Sequence, residues 1–229
     1  MAGGAMRPRL LDLFCGAGGC SVGYYRAGFD VVGVDIMHHP TYPFRLAVHD
    51  ALDVLAEPWF LAEFAVIHAS PPCQAYTTMS NRHRGSGGQA DSHPDLLEPV
   101  RDALLAWGGL YVIENVPGAK AQLRNPITLH GGMFMLGIDR PRLFESNAPL
   151  MAYRAPAVAD PIGVYGKLDG RRLWTRTDGT EQRAARSLAE AQAAMGIDWM
   201  EWNDLTEAVP PSFTEYVGRQ LIEALGVAA

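Results

Sequence analysis

The chain has 229 residues, of which 48% are hydrophobic, and its formal net charge is −6. It is long enough for one well-buried domain, and its composition lies far from disordered and fibrous classes. The acidic balance excludes a general nucleic-acid coat protein, whose phosphate contacts need clustered Lys and Arg. Any nucleic-acid-binding surface must therefore be local.

The three cysteines, Cys15, Cys20 and Cys73, make a poor disulfide framework and fit a reducing compartment. A zinc site would need a second pair of ligands besides Cys15 and Cys20, and the sequence has no such pair, so we expect no metal. The first residues lack a basic leader, and no stretch reaches the ~18 apolar residues of a membrane helix. These features predict a soluble, cytoplasmic protein that does not bind a membrane.

Short apolar runs alternate with helical patterns along the chain. The runs lie at Leu10–Phe14, Val31–Val34, Ala65–Ala69 and Leu110–Ile113, and helical patterns lie at Ser21–Ala27 and Asp95–Leu105. Each run stops at polar or turn residues. The alternation predicts an α/β fold with a doubly wound, mostly parallel sheet and ligands at the carboxyl ends of its strands.

The patterns also divide the chain. Residues 1–147 are expected to form the core, with a mobile glycine-rich loop from Asn81 to Ser92. In residues 148–186 the alternating pattern weakens, and Pro, Gly and charged residues are frequent, with β-like pieces at Ile162–Tyr165 and Arg172–Thr175. This composition predicts a small insertion. Residues 187–229 would return to the core through helices at Ser187–Met195 and Thr214–Leu225.

A glycine-rich turn follows the first predicted strand, in the sequence Asp12-Leu13-Phe14-Cys15-Gly16-Ala17-Gly18-Gly19. Glycines let the main chain approach a ligand, and the following helix offers unpaired N–H groups. Asp35 ends the next strand, at a position from which a carboxylate bonds ribose hydroxyls. Together they favour an adenosine-containing cofactor, although a tight turn without a ligand also explains the glycines. Asp50 is a candidate partner of the adenine amine or a solvated loop carboxylate.

Two further strand ends carry reactive groups. In Ser70-Pro71-Pro72-Cys73-Gln74 the prolines stiffen the turn that holds Cys73. Cys73 is either a nucleophile or a small buried hydrophobe. Glu114, followed by Asn115-Val116-Pro117, is either hydrogen-bonded in a structural network or poised for proton transfer. Both side chains are expected at the same edge of the sheet.

In their order and separation, these motifs resemble those of the cytosine-C5 DNA methyltransferases. The resemblance spans about residues 9 to 225 and includes Phe14–Gly19, Pro71–Gln74, Glu114–Val116, a paired-arginine motif at Gly137–Phe144, a packing segment at Glu190–Ile197, and Ala208–Pro211 with Glu215–Gly218. It implies that the catalytic residues are Cys73, Glu114, Arg140 and Arg142. Cys73 would add to C6 of cytosine, Glu114 would protonate N3, and the arginines would orient the base. A surface pair that binds a phosphate or a carboxylate also explains the two arginines.

The resemblance further implies S-adenosyl-L-methionine as the cofactor. Its binding residues would be Phe14, Cys15, Gly16, Ala17, Gly18, Gly19, Asp35, Ile36, Asp50, Ala51, Pro71, Pro72, Glu207, Ala208 and Val209. The partner would be double-stranded DNA with the target cytosine flipped out of the stack, and the protein would be a monomer. The biological purpose, which is restriction and modification, host evasion or regulation, stays open. Contacts to DNA would come from Gln74, Ser80, Arg82, Arg84, Arg171 and Arg172.

The sequence departs from this family in three places. Only residues 143–187 are left for target recognition, which predicts short or relaxed sequence specificity or help from a partner. Asp139 precedes the paired arginines where a glutamine is usual, and Thr206-Glu207 replaces the usual Gly-Asn. Three alternatives stay open: a tRNA cytosine-C5 methyltransferase, a non-catalytic DNA-binding homologue, and a nicotinamide-dependent oxidoreductase, in which the Cys73 and Glu114 motifs have no role.

Overall fold

The computed structural model describes residues 6–73, 95–154, 156–175 and 181–226. The strands of its main sheet are β1 (Arg9–Leu13), β2 (Asp30–Asp35), β3 (Arg45–Val48), β4 (Val66–Ala69), β5 (Leu110–Asn115), β6 (Ile127–Leu129) and β7 (Arg142–Ser146). Their order is β3-β2-β1-β4-β5-β7-β6. The first five in this order are parallel, whereas β7 runs antiparallel to both β5 and β6.

Helices cover both faces of the sheet. They are α1 (Gly19–Ala27), α2 (Ala51–Leu55), α3 (Pro58–Leu61), α4 (Leu97–Trp107), α5 (Leu188–Met195), α6 (Trp202–Glu207) and α7 (Pro211–Ala224). Alternate strand residues point to opposite faces, so Leu11 packs in the cluster under α2 and α4 while Leu10 packs in the cluster under α1 and α7. This arrangement confirms the predicted doubly wound, mostly parallel sheet.

Helices α1 and α7 pack closely because glycines lie at their contact. A Cβ on Gly23 of α1 would lie 2.0 Å from Thr214 Oγ1. The Thr214 hydroxyl donates a hydrogen bond to Cys20 O at 2.9 Å. The final helix is thereby fixed beside the turn that follows β1.

A second, smaller sheet comprises β8 (Ile162–Gly163), β9 (Arg172–Thr175) and β10 (Glu181–Ala184), in the order β8-β10-β9. It packs with α5 and α6 around a separate cluster that includes Val164, Met195 and Leu205. Because Ala17 also belongs to this cluster, the small sheet and the carboxyl-terminal helices lie over the turn after β1.

The four predicted apolar runs correspond to β1, β2, β4 and β5, with differences at their ends. Phe14 lies just beyond β1 and has a φ of 58°, because the chain turns there. The helix predicted from Asp95 begins at Leu97, whose N–H donates to Asp95 Oδ1 at 3.1 Å. The loop predicted from Asn81 to Ser92 lies outside the described residues.

Candidate active site

The candidate active site is a cavity at the carboxyl ends of β1 and β4. These strands are neighbours, but the sheet continues through β2 on one side and β5 on the other. Such a switch point opens the crevice in which doubly wound proteins bind ligands. The cavity measures ≈ 870 Å³, within the usual range for pockets that hold a small molecule or a cofactor.

The glycine-rich turn after β1 forms one wall of this cavity, with Phe14, Cys15, Gly16, Ala17 and Gly19 among its lining residues. Gly16 has a φ of 50°, which disfavours residues with a side chain. A Cβ at Gly16 would meet no atom within 4 Å. The main chain is therefore open to the cavity at this point, as close approach to a cofactor requires.

Asp35, at the end of β2, lines this cavity, and so does the adjacent Ile36. Its Oδ2 accepts a hydrogen bond from Gly16 N at 2.9 Å, and its Oδ1 accepts one from Met37 N at 3.0 Å. A carboxylate oxygen has two acceptor sites, so Asp35 can also accept from a ribose hydroxyl. His39 lies 3.5 Å from Asp35 and 3.6 Å from Asp204, and thus links the end of β2 to α6.

The turn that carries Cys73 is held by both neighbouring strands. Ser70 N donates to Leu13 O at 3.2 Å, and Asn115 Nδ2 donates to Pro71 O at 2.9 Å. Pro71 and Pro72 both line the cavity and fix the φ angles of the turn. The half-buried Cys73 side chain therefore lies in the cavity wall between the ends of β1 and β5.

Two opposing influences act on the Cys73 thiol. Burial raises its pKa above the ordinary value, and the negative charge of Glu114 adds to this effect. The positive charge of Arg142 acts in the opposite direction. At neutral pH the thiol is mostly protonated, and an approaching cation or proton acceptor would favour the reactive thiolate.

Glu114 and Arg142 meet because β7 pairs antiparallel with β5, so that the start of one strand lies beside the end of the other. Glu114 is 5% exposed, and its Oε1 lies 3.1 Å from Arg142 Nε. Burial raises the pKa of the Glu114 carboxyl, while the charge of Arg142, the polar Ser70 hydroxyl and the charge of Arg140 lower it. The pKa is moved toward the range in which a carboxyl can donate a proton at neutral pH.

Arg140 contacts three segments of the main chain. Its Nε donates to Ala208 O at 3.0 Å, its Nη2 to Thr206 O at 2.5 Å and its Nη1 to Val164 O at 3.3 Å. Burial, with the charge of Arg142, lowers the pKa of Arg140 to about 9, so the guanidinium stays charged at neutral pH. Only its remaining N–H groups are available to a substrate.

The segment Glu207, Ala208 and Val209 closes the cavity from the carboxyl-terminal side. A Cβ on Gly19 would lie 2.4 Å from Val209 O, so the start of α1 touches this segment directly. Trp199 Nε1 donates to Ala17 O at 2.9 Å. Residues between α5 and α7 therefore line the cavity beside the turn that follows β1.

Other predicted site residues lie away from the cavity. Gly18 faces Tyr42, Asp50 caps α2 by accepting from Leu52 N at 2.7 Å, and Ala51 is buried in that helix. In the small sheet, the exposed Arg171 and Arg172 pair with Asp169 at 3.5 Å and Glu181 at 2.9 Å. The described residues do not include Gln74, Ser80, Arg82 and Arg84.

Several cavity residues were not predicted as site residues from the sequence: Cys20, His39, Ser70, Tyr165 and Gln182. Ser70 could have been found, because it stands between a buried strand and the two prolines before Cys73. Within the ranges that the structure describes, no group of three or more His, Cys, Asp or Glu side chains could hold a metal ion. No helix in the same ranges is long and apolar enough to cross a bilayer.

Known proteins similar to this chain are methyltransferases. The type II methyltransferase M.HgiGI of Herpetosiphon aurantiacus is 30% identical over 125 residues, which cover 49% of this chain and 93% of that protein. The type II methyltransferase M.HgiDI of the same organism is 31% identical over 124 residues, which cover 49% of this chain but only 38% of that protein. No family model matches the chain.

Solved structures share its fold. A protein described as a DNA modification methyltransferase encoded within an E. coli prophage has a TM-score of 0.64 at 16% identity, covering 96% of this chain and 99% of that chain. The Entamoeba histolytica methyltransferase EhMeth has a TM-score of 0.58 at 14% identity, with coverages of 96% and 99%. A Spodoptera frugiperda DNMT2 mutant has a TM-score of 0.57 at 14% identity, with coverages of 94% and 99%.

The turn after β1 fits the cofactor of such enzymes. Methyltransferase homologues of this fold use S-adenosyl-L-methionine, which is therefore the cofactor of this chain. Gly16 leaves the main chain open to the cavity, and Phe14 supplies an aromatic face. The Asp35 carboxylate can accept a hydrogen bond from a hydroxyl group. From the match over nearly the whole of M.HgiGI, the chain belongs to the type II methyltransferase family.

Proposed function

We propose that the protein is a DNA (cytosine-5-)-methyltransferase, with Cys73 as its nucleophile. The observation that carries the proposal is the meeting of Cys73, Glu114 and Arg142 in one cavity beside the cofactor turn. C5 of cytosine is a poor nucleophile until a group has added to C6. A thiol next to a buried carboxyl and a cation matches this need.

In the proposed reaction, the Cys73 thiolate forms a bond to C6 of cytosine. The electrons of the C5–C6 double bond move into the ring, and the Glu114 carboxyl donates its proton to N3. Arg142, which cannot readily lose its charge, stabilises the resulting Glu114 carboxylate 3.1 Å away. Arg140 would orient the base through the N–H groups that its main-chain contacts leave.

Addition of the thiolate makes C5 nucleophilic, and S-adenosyl-L-methionine supplies the methyl group that C5 receives. Loss of the C5 proton to a base then lets the bond between C6 and Cys73 Sγ break, and the proton on N3 returns to the Glu114 carboxylate. The aromatic ring, the thiolate and the acid are thereby restored. The glycine-rich turn and Asp35 hold the cofactor side of the cavity. The Cys73 turn holds the base side.

DNA is proposed as the substrate because the similar proteins include type II methyltransferases and one described as a DNA modification methyltransferase. A duplex cytosine must leave the base stack before a thiol can reach C6. With a net charge of −6, the chain must bind phosphates through local groups. Arg171 and Arg172 are candidates, although neighbouring carboxylates offset part of their charge.

The test is methyl transfer from labelled S-adenosyl-L-methionine to duplex DNA, single-stranded DNA and tRNA. We expect label on C5 of cytosine in DNA with the wild-type protein and none with Cys73→Ala or Cys73→Ser. Retained cofactor binding by both variants is the control for folding. Label on tRNA alone would replace DNA as the substrate, and no transfer to any nucleic acid would reject the proposed function.

A second arm tests the covalent step. With S-adenosyl-L-methionine and duplex DNA that contains 5-fluorocytosine, C5 carries fluorine after methyl transfer where the removable proton should be, so the adduct cannot be released. The wild-type protein should form a complex with this DNA that survives denaturing electrophoresis. Cys73→Ala should form none. An adduct of equal yield with the variant would exclude Cys73 as the nucleophile.

A further inference from the structure

The segment between β2 and β3, residues 36–44, has a single buried side chain. Tyr42 is 9% exposed, whereas every other residue of the segment is exposed or half-buried. Ile36, Met37 and His39 of the same segment line the cavity beside Asp35. Tyr42 is therefore the main anchor of this part of the cavity wall.

Two glycines make room for the Tyr42 ring. A Cβ on Gly33 of β2 would lie 2.2 Å from the Tyr42 hydroxyl oxygen and 2.4 Å from Tyr42 Cζ. A Cβ on Gly18, in the glycine-rich turn, would lie 3.0 Å from Tyr42 Cδ2. A glycine inside a strand weakens the strand and often marks the close approach of another group. At Gly33 that group is the Tyr42 ring, which thus contacts both β2 and the turn that follows β1.

The Tyr42 hydroxyl is bonded within the core. It shares a hydrogen bond of 2.8 Å with Ser21 Oγ of α1, and the Ser21 hydroxyl donates to Asp12 Oδ2 of β1. Ser21 and Asp12 are both 0% exposed. Because a buried polar group that loses its partner costs free energy, these bonds fix the depth of the Tyr42 ring. They tie segment 36–44 to the two elements that flank the glycine-rich turn.

Main-chain and side-chain contacts carry the position of Tyr42 to the cavity. Tyr42 N donates to His39 O at 3.1 Å, so the two residues close one tight turn. The His39 ring lies 3.5 Å from Asp35 Oδ1, and Asp35 Oδ2 accepts from Gly16 N at 2.9 Å. A shift of Tyr42 would therefore also displace groups that line the cavity.

We propose that Tyr42 is a positioning residue for cofactor binding, which holds segment 36–44 and the glycine-rich turn in fixed places relative to each other. Tyr42 does not itself line the cavity, so it acts through these two segments and not by touching the cofactor. A protein that holds its binding conformation for only part of the time binds more weakly by that fraction. The inference rests on S-adenosyl-L-methionine as the cofactor and not on cytosine as the target.

The first test is calorimetric titration with S-adenosyl-L-methionine in the absence of nucleic acid. We expect Tyr42→Phe to weaken binding by about threefold or more, because the loss of one buried hydrogen bond lets the segment leave its place. Tyr42→Leu should weaken binding further, because the ring beside Gly33 and Gly18 is lost. Tyr111→Phe is the matched control and should bind like the wild-type protein. It also removes a buried hydroxyl, which donates to Glu145 at 3.3 Å away from the cavity.

A double-mutant cycle tests the route through Ser21. Ser21→Ala removes the hydroxyl that bonds both Tyr42 and Asp12, and it should weaken cofactor binding as well. If the Tyr42 hydroxyl acts through Ser21, Tyr42→Phe should cause little further loss of affinity in the Ser21→Ala protein. Two losses that simply multiply would overturn the proposal. An affinity that is unchanged in Tyr42→Phe, or lowered as much in Tyr111→Phe, would overturn it too.

Hydrogen exchange separates positioning from a general loss of stability. In cofactor-free Tyr42→Phe, the amides of residues 16–18 and 36–39 should exchange faster than in the wild-type protein, while those of β4 and β5 exchange as before. Saturation with S-adenosyl-L-methionine should reduce the difference. Equal acceleration across the whole sheet would mean that Tyr42 only stabilises the fold, and the proposal would be rejected.

Methyl transfer provides a last readout. Tyr42→Phe should raise the KM for S-adenosyl-L-methionine and leave kcat close to the wild-type value, since Tyr42 acts on binding alone. Absence of methyl transfer by the wild-type protein would reject the proposed function, while titration and hydrogen exchange would still decide on Tyr42. Normal wild-type activity with an unchanged cofactor KM in Tyr42→Phe would reject the role of Tyr42 alone.

Discussion

At the scale of single residues, the proposed reaction depends on the contact between Glu114 and Arg142. Arg142→Met would leave Glu114 buried without its nearest cation, so the pKa of Glu114 should rise further. We expect methyl transfer to fall by about 10²-fold or more, the loss typical when a group that stabilises developing charge is removed. Single-turnover assays with duplex DNA would measure this loss.

Arg142→Lys is the informative comparison, because it keeps the positive charge without the planar guanidinium. It should recover part of the lost rate if charge is what Glu114 needs. Wild-type activity in Arg142→Met would show that the contact of 3.1 Å has no part in catalysis.

Asp12 and His68 are neighbouring buried groups whose pKa values are displaced in opposite directions. Burial raises the pKa of Asp12 to about 7 and lowers that of His68 to about 3. Between about pH 4 and 6.5 the folded protein therefore holds a proton on Asp12 and none on His68, whereas the unfolded chain does the reverse. The two proton linkages oppose each other, so together these two groups should change the free energy of unfolding of the wild-type protein little in this window.

Single substitutions should separate the two effects of pH on the free energy of unfolding. In His68→Asn only Asp12 remains, and its raised pKa makes the free energy of unfolding fall as pH rises from about 4 to 7. In Asp12→Asn only His68 remains, and its lowered pKa makes the free energy of unfolding fall as pH drops from about 6.5 toward 3. Each slope should approach about 1.4 kcal/mol per pH unit. Urea unfolding between pH 4.5 and 6.5 measures them, and slopes of equal sign would contradict this account.

At the scale of secondary structure, the central strands were predictable because they are buried on both faces and form continuous apolar runs. The edge strands β3 and β6 lack this signal: β3 begins with the exposed Arg45, and β6 has only three residues. In β7, Glu145 breaks the apolar pattern although it is 1% exposed. Its partner Arg101, with Nε at 2.8 Å, is distant in the sequence, so no local pattern could reveal that this carboxylate is buried.

The site residues also divide into those whose place was predictable from the sequence and those whose place was not. Cys73 and Glu114 were expected at one edge because parallel strands end together, and the structure has Arg142 there as well. The three carbonyl partners of Arg140 and the cap that Asp50 provides to α2 depend on tertiary packing. Residue type and spacing in one sequence do not contain that information.

The contact between α1 and α7 leads to a prediction at this scale. A Cβ on Gly23 would lie 2.1 Å from Pro211 O as well as 2.0 Å from Thr214 Oγ1, and one on Gly218 would lie 2.6 Å from Ala27 Cβ. Gly23→Ala should therefore destabilise the protein by about 1–3 kcal/mol, despite the better helix propensity of alanine. Arg26→Ala, at an exposed position of the same helix, should change stability by less than about 0.5 kcal/mol. Equal urea midpoints for the two variants would refute close packing at this contact.

Across the whole molecule, the small sheet and the carboxyl-terminal helices complete a cavity that the main sheet only begins. Ala17 packs with Val164 and Leu205 in one cluster, and the main chain of Ala17 also accepts from Trp199. We propose that residues 148–186 and 187–229 act together as a cover for both halves of the site. The described part of the short insertion then serves the cavity itself, which Ile162 and Val164 line.

Arg140 helps to join this cover to the core, since its guanidinium bonds Val164, Thr206 and Ala208 at once. Arg140→Met should release the segment that carries Glu207, Ala208 and Val209, and cofactor affinity should fall by about tenfold or more because bonds from a charged donor are lost. Amides in residues 162–164 and 204–209 should exchange faster together.

Calorimetric titration with S-adenosyl-L-methionine and hydrogen exchange would measure these effects, with Arg219→Met as the control, because Arg219 is exposed on α7 and pairs only locally with Glu215 among the described residues. If Arg140 acted on the target base alone, Arg140→Met would abolish methyl transfer while cofactor affinity and amide exchange stayed at wild-type values. If Arg140 joins the cover to the core, cofactor affinity and amide exchange must change before any DNA is added.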